Sequence, residues 1–160
     1  MNPVKTNACR ILEREGVAYT AHSYPCDGFR DALSVAAEIG VEPERVFKTL
    51  VTVSGNGEHL VFVIPAGEEL DLKAAARVAG VKSVEMLPLA RLTPVTGYQR
   101  GACSPMGMKK RFPTFLDETA VLFDAICVSG GKWGLQLELA PEELLRVTQG
   151  NYGDLTIKET

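Results

Sequence analysis

The spacing of apolar and polar positions changes several times along this chain, and each change marks a different element. Val4, Ala8, Ile11 and Leu12 recur at helical spacing. The first sixteen residues therefore predict a helix, with Asn2 as cap, Pro3 in the first turn and Gly16 at the end. Residues 17–23 alternate instead, which predicts a strand. A second helix is expected from about Asp31 to Ile39, stopped by Gly40. Residues 46–53 and 59–64 are rich in β-branched and apolar side chains, and Gly55-Asn56-Gly57 between them signals a hairpin.

Asp71 predicts a cap for an alanine-rich helix over residues 72–79, which Gly80 ends. Residues 87–108 carry Pro88, Pro94, Gly97, Gly101, Pro105 and Gly107, a density of breakers that predicts mostly loop. Strands follow at 114–116, 125–129 and 135–139, and Pro141 opens a last helix through about Gln149. Helices and strands interleave irregularly, without repeats, regular βα alternation or the phosphate-binding patterns GxGxxG and GxxxxGK. The expected fold is α+β, a single domain over residues 1–160, with a mixed β-sheet and surrounding helices.

Composition narrows the function. Among 160 residues, 46% are hydrophobic and 23% charged, the balance of a packed core. Seventeen basic against twenty acidic residues leave a net charge of −3, which argues against gripping duplexes by bulk charge and makes DNA an unexpected partner. The longest apolar runs, such as residues 60–66, fall short of the ~20 residues that cross a bilayer, so no membrane partner is expected. Lys5, Arg10, Glu13 and Arg14 interrupt the first helix, unlike a secretory signal, and the expected location is cytoplasmic. Cys9, Cys26, Cys103 and Cys127 form no CxxC pair, and His22 and His59 have no metal-ligand spacing. No metal and no cofactor are expected.

Several residues stand out against this background. Residues 87–116 hold Arg91, Arg100, Lys109, Lys110 and Arg111 but no acid, so this segment carries +5 while the remainder carries −8. A solvated loop and a local anion site both fit that pattern. Lys48 lies in a nearly continuous apolar strand, where an ammonium must reach an edge or the mouth of a cavity. Partial desolvation there would lower its pKa. Two glycine-rich loops, residues 101–107 and 129–134, suit close approach of backbone N–H groups to an oxygen, or serve as plain turns. Cys103, near basic residues that favour a thiolate, has no local histidine partner. Cys9 and Cys127 read as packing residues. His22 and Tyr24 share one strand face, and Trp133 is read as a lid on the core rather than a base-stacking platform.

Taken in order, these segments resemble the YbaK/EbsC family, free-standing relatives of the editing domain of bacterial prolyl-tRNA synthetases. The resemblance rests on His22-Ser23-Tyr24, Val46-Phe47-Lys48-Thr49-Leu50, Leu70-Asp71-Leu72-Lys73, Lys82-Ser83-Val84-Glu85-Met86 and Thr96-Gly97-Tyr98. It continues through Gly101 to Gly107, Lys109-Lys110-Arg111 and Val128-Ser129-Gly130-Gly131-Lys132, and so spans nearly the whole chain. The pattern is nearer to the Cys-tRNA(Pro) deacylase branch than to branches that edit alanine.

The resemblance implies an editing-domain fold and removal of cysteine from mischarged tRNA(Pro), with the tRNA acceptor end and prolyl-tRNA synthetase as partners. It puts the functional lysine at Lys48 and the GxxxP loop at Gly101 to Pro105, which includes Ala102 and Ser104. Tyr24 matches a tyrosine near the substrate, and Gly130, Gly131 and Lys132 form the second loop beside it. Gln136 stands where relatives can carry an aspartate, so a carboxylate contact to the substrate amine does not carry over. In the mechanism this branch suggests, the substrate's own thiol attacks its carbonyl. Lys48 then holds the terminal ribose or phosphate, and the N–H groups of Gly101 and Ala102 face the oxyanion. A non-catalytic binding module and a broader deacylase using water are the competing expectations.

Overall fold

The computed structural model describes residues 5–158. Its elements run α1 (Asn7–Arg14), β1 (Thr20–Ser23), α2 (Ala32–Ile39), β2 (Phe47–Ser54), β3 (His59–Pro65), α3 (Leu72–Ala79), β4 (Val84–Met86) and α4 (Leu89–Thr96). β5 (Thr114–Asp117), β6 (Ile126–Ser129), β7 (Leu135–Leu139), α5 (Pro141–Thr148) and β8 (Asn151–Gly153) complete the described chain. No helix among the described residues is long and apolar enough to cross a membrane.

The α+β class holds, but the strands form two sheets rather than one. A small antiparallel sheet has the order β1-β7-β6, and a mixed five-stranded sheet has the order β4-β2-β3-β5-β8. A parallel bridge between Val46 and Cys127 links them. The main core lies between the sheets. Phe47, Val51, Val61, Val63 and Leu116 meet Ile126, Val128, Leu137 and Leu139 there, with α1 and α5 closing the ends through Leu12 and Leu144. Leu60, Phe62 and Ile64 point the other way, onto Ala75 and Ala76 of α3. β3 is thus buried on both faces, which explains its unbroken apolar run.

Local departures have physical causes. α1 is capped by Thr6, whose hydroxyl accepts from the Cys9 N–H; the expected cap Asn2 and Pro3 lie outside the described residues. The N–H of Val17 returns to the Leu12 carbonyl, so residues 17–19 finish the helix end and β1 begins only at Thr20. The breaker-rich segment contains α4, a full helix despite Pro94. Leu92 and Val95 pack on the main core, Thr96 Oγ1 donates to the Leu92 carbonyl and Thr93 Oγ1 to the Tyr98 carbonyl. Tertiary packing there outweighs the missing proline N–H. β4 and β8 are three residues long each and recruited by their neighbours β2 and β5.

Asp117, fully buried, secures the end of the chain. Its carboxylate accepts from the Leu155 N–H at 3.0 Å and from Thr119 Oγ1 at 2.6 Å. Asp117→Ala leaves the buried Leu155 N–H unpaired and is expected to destabilise the fold by about 2–3 kcal/mol. Urea unfolding checks this, and a change within about 0.5 kcal/mol, the range of inert surface substitutions, would contradict it.

Candidate active site

β3 pairs with β2 along its length, whereas β4 covers the opposite edge only from Thr52 to Ser54. Residues 47–51 therefore keep an uncovered edge, and a cavity of about 440 Å³ opens beside it. The loop into α2, the start of α4, the loop that follows α4 and the polar face of the small sheet form the other walls. Sheet register explains that last wall. Ser129 pairs with Gln136, and Gln136 pairs with His22, so these three side chains share one face.

Lys48, Gly101 and Gln136 all line this cavity. Lys48 is half-buried and forms no ion pair among the described residues. Burial pulls its pKa below the usual lysine range, while the charges of Glu69, Glu68 and Asp31 act in the opposite direction. Two buried acceptors in the wall, Gln136 Oε1 and Thr49 Oγ1, have no hydrogen-bond partner. Buried polar atoms are nearly always paired in a native fold, so these two atoms are open to a hydrogen bond from a polar group or water in the cavity. Tyr24 bears on Gln136 rather than on the cavity. Burial raises its phenol pKa, and the Gln136 side chain offsets part of that shift.

The Gly101–Gly107 loop divides its residues between two sides. Gly101 (φ +83°) lies so close to the Phe29 ring that a Cβ would sit 2.8 Å from Phe29 Cδ2, a close approach only glycine allows. Ala102 departs from its expected part, because its N–H already donates to the Gln99 carbonyl at 2.9 Å. Gly101 itself lines the cavity, and its N–H donates to no backbone acceptor among the described residues. Ser104 is fully buried and accepts from the Met106 N–H; it braces the loop. Pro105 faces a different, smaller pocket of about 160 Å³. Cys103 does line the cavity, but burial pushes its pKa up to about 12, against the expectation of a thiolate favoured by nearby cations.

Beyond Ser129, which lines the cavity, the second glycine loop supports the first. A Cβ on Gly130 would sit 2.5 Å from Leu135 Cγ, so packing demands that glycine, and the Gly131 N–H donates to Ser129 Oγ. Lys132 is exposed. Trp133 donates its indole N–H to the Arg100 carbonyl at 2.9 Å, so it fastens one loop to the other. Sequence reasoning missed Phe29, whose ring carries the Arg100 guanidinium 4.0 Å from its centroid at the cavity wall. It also took Asp31 only as the approximate start of the second helix, where the structure makes it the N-cap, and assigned no role to Thr49. An exposed aromatic before a helix cap was the available signal.

His22, Cys127 and Glu138 bring donor atoms within 4.8 Å of one another on the same sheet face. Glu138 already bridges His22 Nε2 at 2.7 Å and Arg45 Nη2 at 3.1 Å. With Arg45 and His22 both on the Glu138 carboxylate, the cluster forms a polar network on the sheet face beside the buried Cys127 thiol.

A half-buried ammonium and unpaired buried polar atoms around a small cavity define a class of site suited to a polar, partly anionic ligand. The sequence matches the family model described as the aminoacyl-tRNA editing domain over residues 27–147, and the chain belongs to that family. A charged tRNA is the family's substrate class. The chain is 49% identical over 156 residues to EbsC of Enterococcus faecalis, provisionally named a Cys-tRNA(Pro)/Cys-tRNA(Cys) deacylase; the match covers 97% of this chain and 95% of that protein. A solved structure provisionally described as a trans-editing enzyme for prolyl tRNA synthetase superimposes with a TM-score of 0.82 at 25% identity, over 98% of this chain and 100% of the other. A hypothetical protein at 22% identity shares the fold, with a TM-score of 0.85 over 92% of this chain and 97% of its own.

Folding desolvates Lys48, so in the window between its lowered pKa and the ordinary lysine value the unfolded chain binds more protons and stability rises with pH. Lys48→Met removes that cost. The variant is expected to melt above the parent near neutrality, with the gap closing as pH climbs through the window. Thermal melts of both proteins from about pH 7 to about pH 11 read this out; a variant less stable at every pH would show that the ammonium is compensated.

Proposed function

We propose that this protein is a trans-editing deacylase that removes cysteine from mischarged tRNA(Pro), with the cavity beside β2 as its active site. The observation that carries the reading is the convergence of Lys48, Gly101 and Gln136 on that cavity, although they lie far apart in sequence. Family membership and the EbsC relative support the reaction class.

The scissile bond is an aminoacyl ester, reactive enough to need positioning more than a strong base. The substrate thiolate attacks its own carbonyl carbon and forms a C–S bond. The ester C–O bond then breaks, and the released 3′-hydroxyl keeps the proton that the thiol gave up. A free thiol, with a pKa of about 8.5, supplies some thiolate at neutral pH. Well-aligned intramolecular attack is worth roughly 7–11 kcal/mol, from which the strain of a small thiolactone ring must be subtracted. Lys48 binds the terminal ribose or phosphate and favours negative charge at the reacting centre. The Gly101 N–H faces the developing oxyanion, a contribution of about 3–4 kcal/mol for one donor. Gln136 Oε1 accepts a hydrogen bond from the substrate amine.

Cys103 has no part in the chemistry in this scheme. Its protonated thiol forms cavity wall, and the nucleophile arrives with the substrate. Cysteine chemistry selects the amino acid but does not inspect the tRNA, so association with prolyl-tRNA synthetase supplies selectivity for tRNA(Pro) through local concentration.

Lys48→Ala is expected to abolish deacylation of Cys-tRNA(Pro) while circular dichroism and melting show an intact fold, and Cys103→Ser is expected to retain turnover within a fewfold. Both variants are compared with the parent on Cys-, Ala- and Pro-tRNA(Pro). Equal rates on Cys- and Ala-tRNA(Pro) would identify water as the nucleophile. No turnover on any of the three would make the chain a binding module instead.

A further inference from the structure

The acid-free cationic segment remains unused by this chemistry. Arg91, Lys109, Lys110 and Arg111 are exposed, and neither they nor Arg100 form an ion pair among the described residues. The fold gathers them. Arg100 lines the wall of the reaction cavity. Lys109 packs along Gly97, three residues before Arg100, and its ammonium donates to the Pro94 carbonyl. Beyond it, Lys110 and Arg111 share the pocket of about 160 Å³ with Arg14, which α1 contributes from the other end of the chain. Glu15 is the one acid on that pocket.

The Gly101–Gly107 loop joins the two places, since Gly101 faces the cavity and Pro105 and Gly107 face the basic pocket. Arg14 has Glu15 at 3.9 Å, but a solvated loop with incidental lysines has no reason to leave all five of its own cations without a carboxylate on a chain whose remaining residues carry −8. Such cations suit phosphates, which bind by charge and fix the position of a strand without reading its sequence.

We propose that this ridge, from Arg100 through Lys109 to the pocket of Arg14, Lys110 and Arg111, is the docking surface for the phosphate backbone of the tRNA acceptor stem. The inference rests on the editing reading, in which the 3′ terminus occupies the cavity, and extends it to the helical part of the tRNA. The ridge sets how tightly the stem is held and leaves the ester chemistry alone.

Binding rather than turnover tests it, so the outcome is independent of the deacylase reading. Labelled, uncharged tRNA(Pro) and the trinucleotide CCA are titrated into the parent and into the triple variant Lys109→Ala/Lys110→Ala/Arg111→Ala. A control, Lys73→Ala/Lys82→Ala, removes two exposed lysines elsewhere on the molecule. The triple variant should lose about tenfold or more in tRNA affinity and flatten the slope of log K against log salt by about 2–3. Its CCA affinity and the control's tRNA affinity should stay within twofold of the parent. Equal losses on tRNA and CCA, a loss matched by the control, or a parent that does not bind tRNA would each overturn the proposal. Melting of the triple variant at the parent's temperature verifies its fold.

Discussion

The site depends on keeping an ammonium half out of water without a carboxylate to neutralise it. Lys48 could relieve that cost by swinging to the surface, but its strand is held along one side by β3, and its neighbours Phe47 and Val51 are locked into the core between the sheets. The backbone at position 48 is therefore as rigid as the core. Only the field of Glu69, Glu68 and Asp31 favours the charge, and burial outweighs it. A ligand that brings negative charge restores what folding removed, which is why a cation in such a place binds phosphate or an oxyanion more strongly than the same lysine would on the surface.

Rigidity on one side is matched by bracing on the other. The Gly101–Gly107 loop has no regular structure, yet it is held from several directions. The Trp133 indole bonds to Arg100, the Tyr98 hydroxyl to the Met106 carbonyl, and Asn7 of α1 to the Gly107 carbonyl at 3.4 Å. Ser104 turns its hydroxyl inward to the loop's own backbone. Polar side chains that were natural candidates for substrate contacts instead spend their hydrogen bonds on the loop. What reaches the cavity is the least decorated residue, Gly101, and the protonated thiol of Cys103. The arrangement suits a reaction in which alignment matters more than acid–base strength.

The cavity wall made by the small sheet follows from strand register alone. Because side chains alternate, the face that turns Leu135 and Leu137 into the core must turn Gln136 and Glu138 the other way. Gln136 reaches the cavity with an unpaired oxygen, and Glu138 takes up His22 and Arg45 farther along. A one-residue slip would exchange these sets and bury two polar side chains in the main core. The hydrophobic pattern thus positions a substrate-facing amide as a by-product of packing.

Much of this was legible from residue order. Hairpin glycines, the Asp71 cap and apolar alternation are local signals, and β2, β3, α2, α3, β5 and β7 lie close to where they point. Lys48 was conspicuous because a charge inside an apolar strand conflicts with local preference, and such conflicts mark function. α4, β4 and β8 were hidden because neighbours rather than propensity hold them in shape. The fate of each loop residue was hidden for a related reason. Ala102 and Ser104 look as available as Gly101 in the sequence, and only their partners, Gln99 and Met106, remove them. Local chemistry determined which groups were on offer; three-dimensional packing decided which stayed unsatisfied, since a hydrogen bond is assigned by proximity that no one-dimensional pattern encodes.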